Sequence, residues 1–340
     1  DSPMPAARSN YPRADKGAVL GLLARMYLNA EVYTGTPMWQ EAKDACEDIF
    51  TMGYSLCPEY ADLFRGDNGE NPEALNEVLF GISYDAEQTQ SYGGTSYLTL
   101  AAIAATDVSS TQMINGVNNG WGGIRVPYEY VEKYFNVRNA DYSAGTYDVN
   151  DKRGRMFYIK GRSESMDGAL YVFLNGWSCL KFNNIPHNMD QDSYLATAAS
   201  KAYSDIDFPM IRLGEIYLIY AEACMNLGQA NTALPKVQDL AARAGVTAPT
   251  SITQEWLDGG RARDVGGSPP HGPDPLRQVH LLVVPVDLQG RLLQRSGIRR
   301  PHEDLRHPGI RAGLQPRVAP EPRIRSRHLH RRIIKNLQEP

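Results

Sequence analysis

The last quarter of this 340-residue chain carries no aromatic side chain at all. All 8 Phe, 4 Trp and 19 Tyr lie between Tyr11 and Trp256, where the composition of the body would place about ten more in the 84 residues that follow. Lysine is nearly missing there too: residues 257–340 hold 16 Lys and Arg, only one of them Lys, against 8 Asp and Glu. The same segment has 6 of the 7 His and 11 of the 22 Pro. Taking this +8 tail from a chain at −4 leaves a body at −12. Basic arms that bind nucleic acid mix Lys with Arg and with Gly or Ser, and they do not carry apolar runs such as "HLLVVPV"; the tail does not point to nucleic acid. Its stretch 268–290, "SPPHGPDPLRQVHLLVVPVDLQG", sets five prolines among apolar residues that keep neither a helical nor a strand period.

Other absences narrow the function. No run reaches the roughly 18 consecutive apolar residues of a membrane-spanning helix. There is no phosphate-binding glycine loop and no dinucleotide fingerprint. The four cysteines, Cys46, Cys57, Cys179 and Cys224, lack metal-site spacing and read as buried thiols. The opening "DSPMPAARSN" has no apolar signal core, but the chain reads as a piece of a longer protein, so this absence decides nothing about targeting.

The body is patterned for helices. In "DKGAVLGLLARMYLNA" (15–30), Val19, Leu22, Leu23, Met26 and Tyr27 recur at helical spacing behind Asp15 as N-cap, and a second helix follows from about Pro37 to Thr51 before Gly53. Small Ala18, Ala24 and Ala42 at the crossing positions are similar to those of a tetratricopeptide hairpin. A second hairpin spans 207–246: Ile211, Ile216, Tyr217, Ile219, Tyr220, Ala223 and Cys224 face inward, "NLGQA" turns the chain, and Val237, Leu240 and Ala241 pack the return. Between them lie nearly 160 residues rich in Gly, Asn, Tyr and Trp, with "EVLFGISYD" and "MFYIKG" as short strands. The expected fold is mainly α: tetratricopeptide-like helical hairpins with a large loop-rich insert containing short strands.

Several blocks, "GAVLGLLARMYLNAEVYTGTPMWQEA", "GYSLCPEYADLFRGDNGENPEALNEVLFGISYDAE", "SYGGTSYL", "GWSCLKFNN" and "DFPMIRLGEIYLIYAEA", resemble the SusD/RagB family over residues 10 to 258. The resemblance implies a surface lipoprotein of the outer membrane. Such a protein binds glycans without chemistry and passes them to a SusC-like TonB-dependent transporter; its N-terminal lipid anchor would be missing from this fragment. The residues leave a second reading open, a helical-repeat module that binds protein or peptide and never touches sugar. The resemblance also implies two regions, 1–75, the end of the N-terminal helical repeats, and 76–258, the C-terminal binding region; residues 259–340 depart from the family and are expected to be an out-of-frame, disordered tail.

Where the family continues with a charged, aromatic-bearing helix, this chain gives "GGRARDVGGSPPHGPDPLRQVH". Permitted codons from Arg261 onward, read one base later, restore the family-like text and its aromatics. They also turn the "RRII" at 331–334 into tandem stops. The expectation is a frameshift between Asp258 and Arg261, in the gene or in its sequencing. The nucleotide sequence checks it: codons 261–333 are predicted to give family-like text in the shifted frame, and text without that pattern removes the idea.

A glycan binder needs flat aromatic faces for sugar rings and amides or charges for hydroxyls. "NGVNNGWGGIRVPYEY" (115–130) offers Trp121 between glycines, flanked by Asn118, Asn119 and Arg125; as a reading of the residues alone, a structural Trp pinning the loop stands level with a sugar platform. "YDAEQTQSYGGTSYL" adds Tyr92 for stacking and Gln88 or Gln90 as donors, with Tyr84 packed at a strand end. Trp39 and Trp177 are expected in the core. No cofactor is required. "RGDNGENPE" presents Asp67, Asn68, Glu70 and Asn71 as oxygen ligands for a structural calcium ion, against a turn held by Asx hydrogen bonds. Enzyme chemistry finds little support. The acidic pairs Asp205–Asp207 and Glu129–Glu132 have nothing tying them to one cleft, and His187 has no nucleophile motif beside it.

Overall fold

A computed structural model describes residues 11–109, 112–166, 171–197 and 201–264, all within one compact unit. Of the expected tail, 259–340, residues 265–340 lie outside the described residues.

The chain opens with α1 (Lys16–Leu28), capped by the Asp15 carboxylate accepting from Ala18 N–H at 3.1 Å. Asn29 stops it by bonding back to the Arg25 carbonyl. A short α2 (Ala30–Thr34) follows and ends on left-handed Gly35 before α3 (Trp39–Phe50). A 3₁₀ turn at Tyr60–Phe64 leads to α4 (Pro72–Glu77) and β1 (Val78–Ile82). The insert then runs through α5 (Gly94–Leu100), the β2–β3 ladder (Val108–Ser109 and Gln112–Met113), β4 (Arg125–Val126), α6 (Tyr128–Phe135), the β5–β6 ladder (Arg138–Asp141 and Thr146–Asp148), β7 (Phe157–Tyr158), β8 (Trp177–Cys179) and α7 (Gln191–Thr197). The chain returns to the frame as β9 (Phe208–Arg212), α8 (Leu213–Asn226), α9 (Ala230–Ala244) and α10 (Gln254–Asp264).

The two hairpins, far apart in sequence, share one core: α3 packs on α8, α1 on α3, and α9 and α10 on α8. Ala45, Cys46 and Ile49 meet Ile216, Leu218, Cys224, Val237 and Leu240 there. The antiparallel β1–β9 pair closes the base of the insert, setting Gly81 opposite Pro209 and Ile82 opposite Phe208. A mainly helical scaffold carrying a loop-rich insert with short strands is thus the observed architecture. All four cysteines are free and buried. Among the described residues no helix is long and apolar enough to cross a membrane.

Ala18 and Ala24, expected at the crossing positions, are buried, and two points add to the sequence reading. The buried face of α1 is its small-residue face, Gly17, Ala18, Gly21 and Ala24, while Leu22 and Met26 are 52% and 54% exposed. The cause is close approach: a Cβ on Gly21 would stand 2.8 Å from the Ile211 side chain, so only glycine lets α1 lie against β9. The second concerns the boundary at 258. Helix α10 runs six residues beyond it, Ala262 is buried, and the Tyr130 hydroxyl donates to the Ala262 carbonyl at 2.7 Å.

Candidate functional site

The site is built on α5. Tyr92 lies just before this helix and Tyr97 on it, while the last α5 carbonyls and those beyond receive a second loop. Trp121 N–H donates to Leu100 O at 2.9 Å, Gly122 N–H to Ile103 O at 2.7 Å, and Ile124 N–H to Ala101 O at 3.0 Å. Carbonyls at a helix C-terminus have no intrahelical donors, and here the Trp121 loop supplies them. Gly120 permits the approach, since a Cβ there would sit 2.5 Å from the Ala104 carbonyl oxygen. A third segment joins through Asn118 N–H to Lys201 O at 2.9 Å, which brings in Tyr203.

Four aromatic rings therefore meet. Tyr92 contacts Trp121 edge to face at 5.3 Å between centroids and Tyr203 at 4.9 Å; Tyr97 stands 6.4 Å from Trp121. Tyr92 is 57% exposed and Tyr97 42%, with Trp121 and Tyr203 half-buried. Trp121, half-buried, also packs on Leu100, Ile103 and Val117, which anchor its ring.

Two aspartates hold the loop that carries Tyr92. The Asp207 carboxylate accepts from Tyr84 N–H at 2.8 Å, from the Tyr11 hydroxyl at 2.6 Å and from Ser83, and burial pushes its carboxyl upward. The Asp205 carboxylate accepts from Ala86 N–H at 3.1 Å and from Lys201 Nζ at 2.6 Å, while Asn184 links Asp205 to the Gly116 carbonyl of the Trp121 loop. Asp85 caps the turn itself, accepting from Glu87 and Gln88 N–H. Both aspartates thus serve as backbone acceptors, and Glu129 and Glu132 lie exposed on α6.

Of the residues singled out in the sequence, Tyr92 and Trp121 come together. Asn118 and Asn119 are exposed on the same loop, Asn119 accepting from Gly120 N–H, and Gln90 is exposed two residues before Tyr92. Arg125 is placed elsewhere. It is 3% exposed in β4, and its Nη1 donates to Val172 O at 2.6 Å and Asn175 O at 2.8 Å. Its guanidinium holds a loop instead of reaching the platform. Trp177 is fully buried and Trp39 half-buried. Tyr84 packs its hydroxyl against left-handed Gly94.

The candidate calcium ligands are largely engaged within the protein. Asn68 is 2% exposed; its amide donates to Leu63 O and Asp207 O and accepts from Asp207 N–H. Asp67 accepts from His187 N–H and pairs with its ring, and Asn71 caps α4. Glu70 is exposed. Among the described residues no group of three or more His, Cys, Asp and Glu side chains is arranged to hold a metal ion. Tyr97 and Tyr203 were not legible as site residues: Tyr97 lies inside a helix, and only the fold brings Tyr203 from 110 residues away.

Residues 172–256 match the SusD family model. Among curated proteins, the chain is 29% identical over 282 residues to the starch-binding protein SusD of Bacteroides thetaiotaomicron, a match covering 73% of this chain and 49% of that one. It is 26% identical to a SusD-like protein of Bacteroides ovatus, covering 64% and 37%. The chain thus spans about half or less of the curated relatives it matches. Among solved structures, surface glycan-binding protein A from Bacteroides thetaiotaomicron superposes with a TM-score of 0.54 at 21% identity, over 85% of this chain and 59% of that one. The same named protein in complex with laminarihexaose gives 0.53, also at 21%, over 85% and 60%. These likenesses show the shared fold.

Proposed function

From the premise that the chain is a SusD/RagB family protein, we propose that it binds oligosaccharide on the Tyr92–Trp121–Tyr97–Tyr203 platform and carries no catalytic step. One observation supports this most: Tyr92, 57% exposed, stands against the half-buried Trp121 at 5.3 Å between ring centroids. Buried aromatics pack core; an open group of four on rigidly hydrogen-bonded loops is what sugar rings stack on. Asn118, Asn119 and Gln90 supply amides at its rim for hydroxyl groups. Two of the proteins this chain is similar to, a starch-binding protein and a protein in complex with laminarihexaose, agree with a glucan-type cargo.

The rest of the account follows the family. The protein would sit at the cell surface on the outer membrane, anchored by lipid, and hand its cargo to a SusC-like TonB-dependent transporter. Residues 76–258 would form the binding region, with 1–75 contributing the end of a tetratricopeptide-like array. A structural calcium ion at Asp67, Asn68 and Glu70 would have to displace the bonds that Asp67 and Asn68 make within the protein.

Affinity electrophoresis against soluble starch, laminarin and xyloglucan tests the binding role. At least one polysaccharide is expected to retard the full chain, and Trp121→Ala to weaken that retardation about tenfold or more, in a variant whose thermal unfolding shows it still folded at the assay temperature. No retardation by any of them transfers the platform to a peptide or protein partner.

A further inference from the structure

A second aromatic edge lies next to the platform. Tyr171 is 81% exposed and Phe173 46%, though neither belongs to the four-ring group. Single exposed apolar residues are ordinary on any surface. Phe173 differs because the structure holds it in place. Its ring lies against the backbone of Gly122, the residue after Trp121: a Cβ built on Gly122 would stand 2.7 Å from Phe173 Cβ and 2.9 Å from its Cγ. Gly122 and Gly123 have φ of +68° and +113°, so the chain turns here in a conformation side chains rarely adopt.

Arg125 completes the mount. Its guanidinium carbon stands 5.6 Å from the Phe173 ring centroid, and its Nη1 donates to the Val172 and Asn175 carbonyls on either side of Phe173 and Leu174. The β4–β8 pairing fixes Arg125 opposite Ser178. Burying a guanidinium is costly, and burial lowers the pKa of this one. Here the buried cation keeps an apolar ring at the surface. The rim is mixed: Leu174 is 36% exposed, and the Ser163 hydroxyl donates to the Asn175 side-chain oxygen at 3.0 Å. A flat apolar face among hydroxyl and amide groups suits a sugar better than the contiguous apolar core of a protein interface.

We propose that Phe173, with Tyr171, is a second sugar-stacking position joined to the Trp121 platform across Gly122, so that the site takes an oligosaccharide long enough to lie over both. This rests on the platform being a glycan site. Arg125 is then a positioning residue that sets Phe173.

The test is calorimetric titration of the full chain with saccharide pairs of two lengths: laminarihexaose and laminaribiose, maltohexaose and maltose. Phe173→Ala is expected to weaken binding of the hexasaccharide about tenfold and leave the disaccharide constant unchanged, with Tyr171→Ala acting in the same direction. Trp121→Ala is expected to weaken both lengths. If Trp121→Ala weakens binding while Phe173→Ala and the double variant leave hexasaccharide affinity intact, the extension is wrong and the platform stands. A wild-type chain that binds none of the four saccharides overturns both readings.

Discussion

Replacing Glu77 with alanine is expected to lower the unfolding free energy by about 3–5 kcal/mol. Glu77 is wholly buried at the end of α4, where its carboxylate accepts from Arg212 at 3.2 Å, Arg243 at 2.5 Å and Cys57 N–H at 2.8 Å. The two arginines come from β9 and α9 and are 5% and 9% exposed. Each also lies over the Tyr60 ring, with centroid distances of 5.7 and 5.2 Å. One carboxylate therefore balances two guanidiniums that water barely reaches. Alanine leaves both charges without it, and the Cys57 amide without its acceptor. The triad joins α4, β9 and α9, the point at which the insert's base meets the second hairpin. Urea denaturation checks this: the midpoint should fall strongly in Glu77→Ala and less in Glu77→Gln, which keeps the shape and a hydrogen-bond acceptor. An unchanged Glu77→Ala midpoint contradicts it.

Trp177→Ala is expected to cost a similar amount, about 3–5 kcal/mol. Trp177 has no exposed surface and sits in β8, the middle strand of the β4–β8–β7 sheet. Tyr147, Tyr128, Phe157 and Tyr142 surround its ring at 5.0 to 6.2 Å, and its indole N–H donates to the Tyr142 hydroxyl at 3.2 Å. Removing it leaves a cavity that the short strands around it cannot close. A fall in Tm of roughly 10 °C is the expected result in a domain of this size. Because Trp177 pairs with Val126, the loss should also loosen β4, which carries Arg125. Trp177→Phe, which keeps much of the ring volume, should lose less. A Tm unchanged in Trp177→Ala would show that this cluster does not hold the sheet.

The helices were readable because their burial repeats. The inward residues of α8, from Ile216 to Cys224, and of α9, Val237, Leu240 and Ala241, are all buried. In α1 the apolar period marked Leu22 and Met26, which are exposed, while the small Ala18 and Ala24 marked the crossing and Gly17 and Gly21 join them there. Periodicity measures transfer from water; it does not register how near two backbones must come. The strands β1 and β7 appeared where β-branched and aromatic residues cluster, but their pairing with β9 and β8 was invisible, since it depends on contacts across more than 100 residues for the first and about 20 for the second.

The site was half legible. Trp121 between glycines and Tyr92 before Gly93–Gly94 pointed to exposed stacking groups, and the structure sets them side by side. Arg125 shared that loop and looked like a ligand group, yet β4 is buried at both its residues and Arg125 lies beneath Phe173. Asp205 and Asp207, which suggest acid–base chemistry by composition, are consumed in holding the Tyr92 loop. A carboxylate's role depends on which donors the fold aims at it, and those donors come from residues 120 positions away.

The most direct test of the account is a fluorescence titration of Trp121 with a polysaccharide that retards the chain. Trp177 is buried, and Trp39 and Trp256 stand outside the four-ring group. A sugar stacked on the platform is therefore predicted to shift tryptophan emission in the wild type and to leave it unshifted in Trp121→Phe. Calorimetric binding of the same strength in both proteins, with no change in emission in either, would contradict the placement of the glycan on this platform.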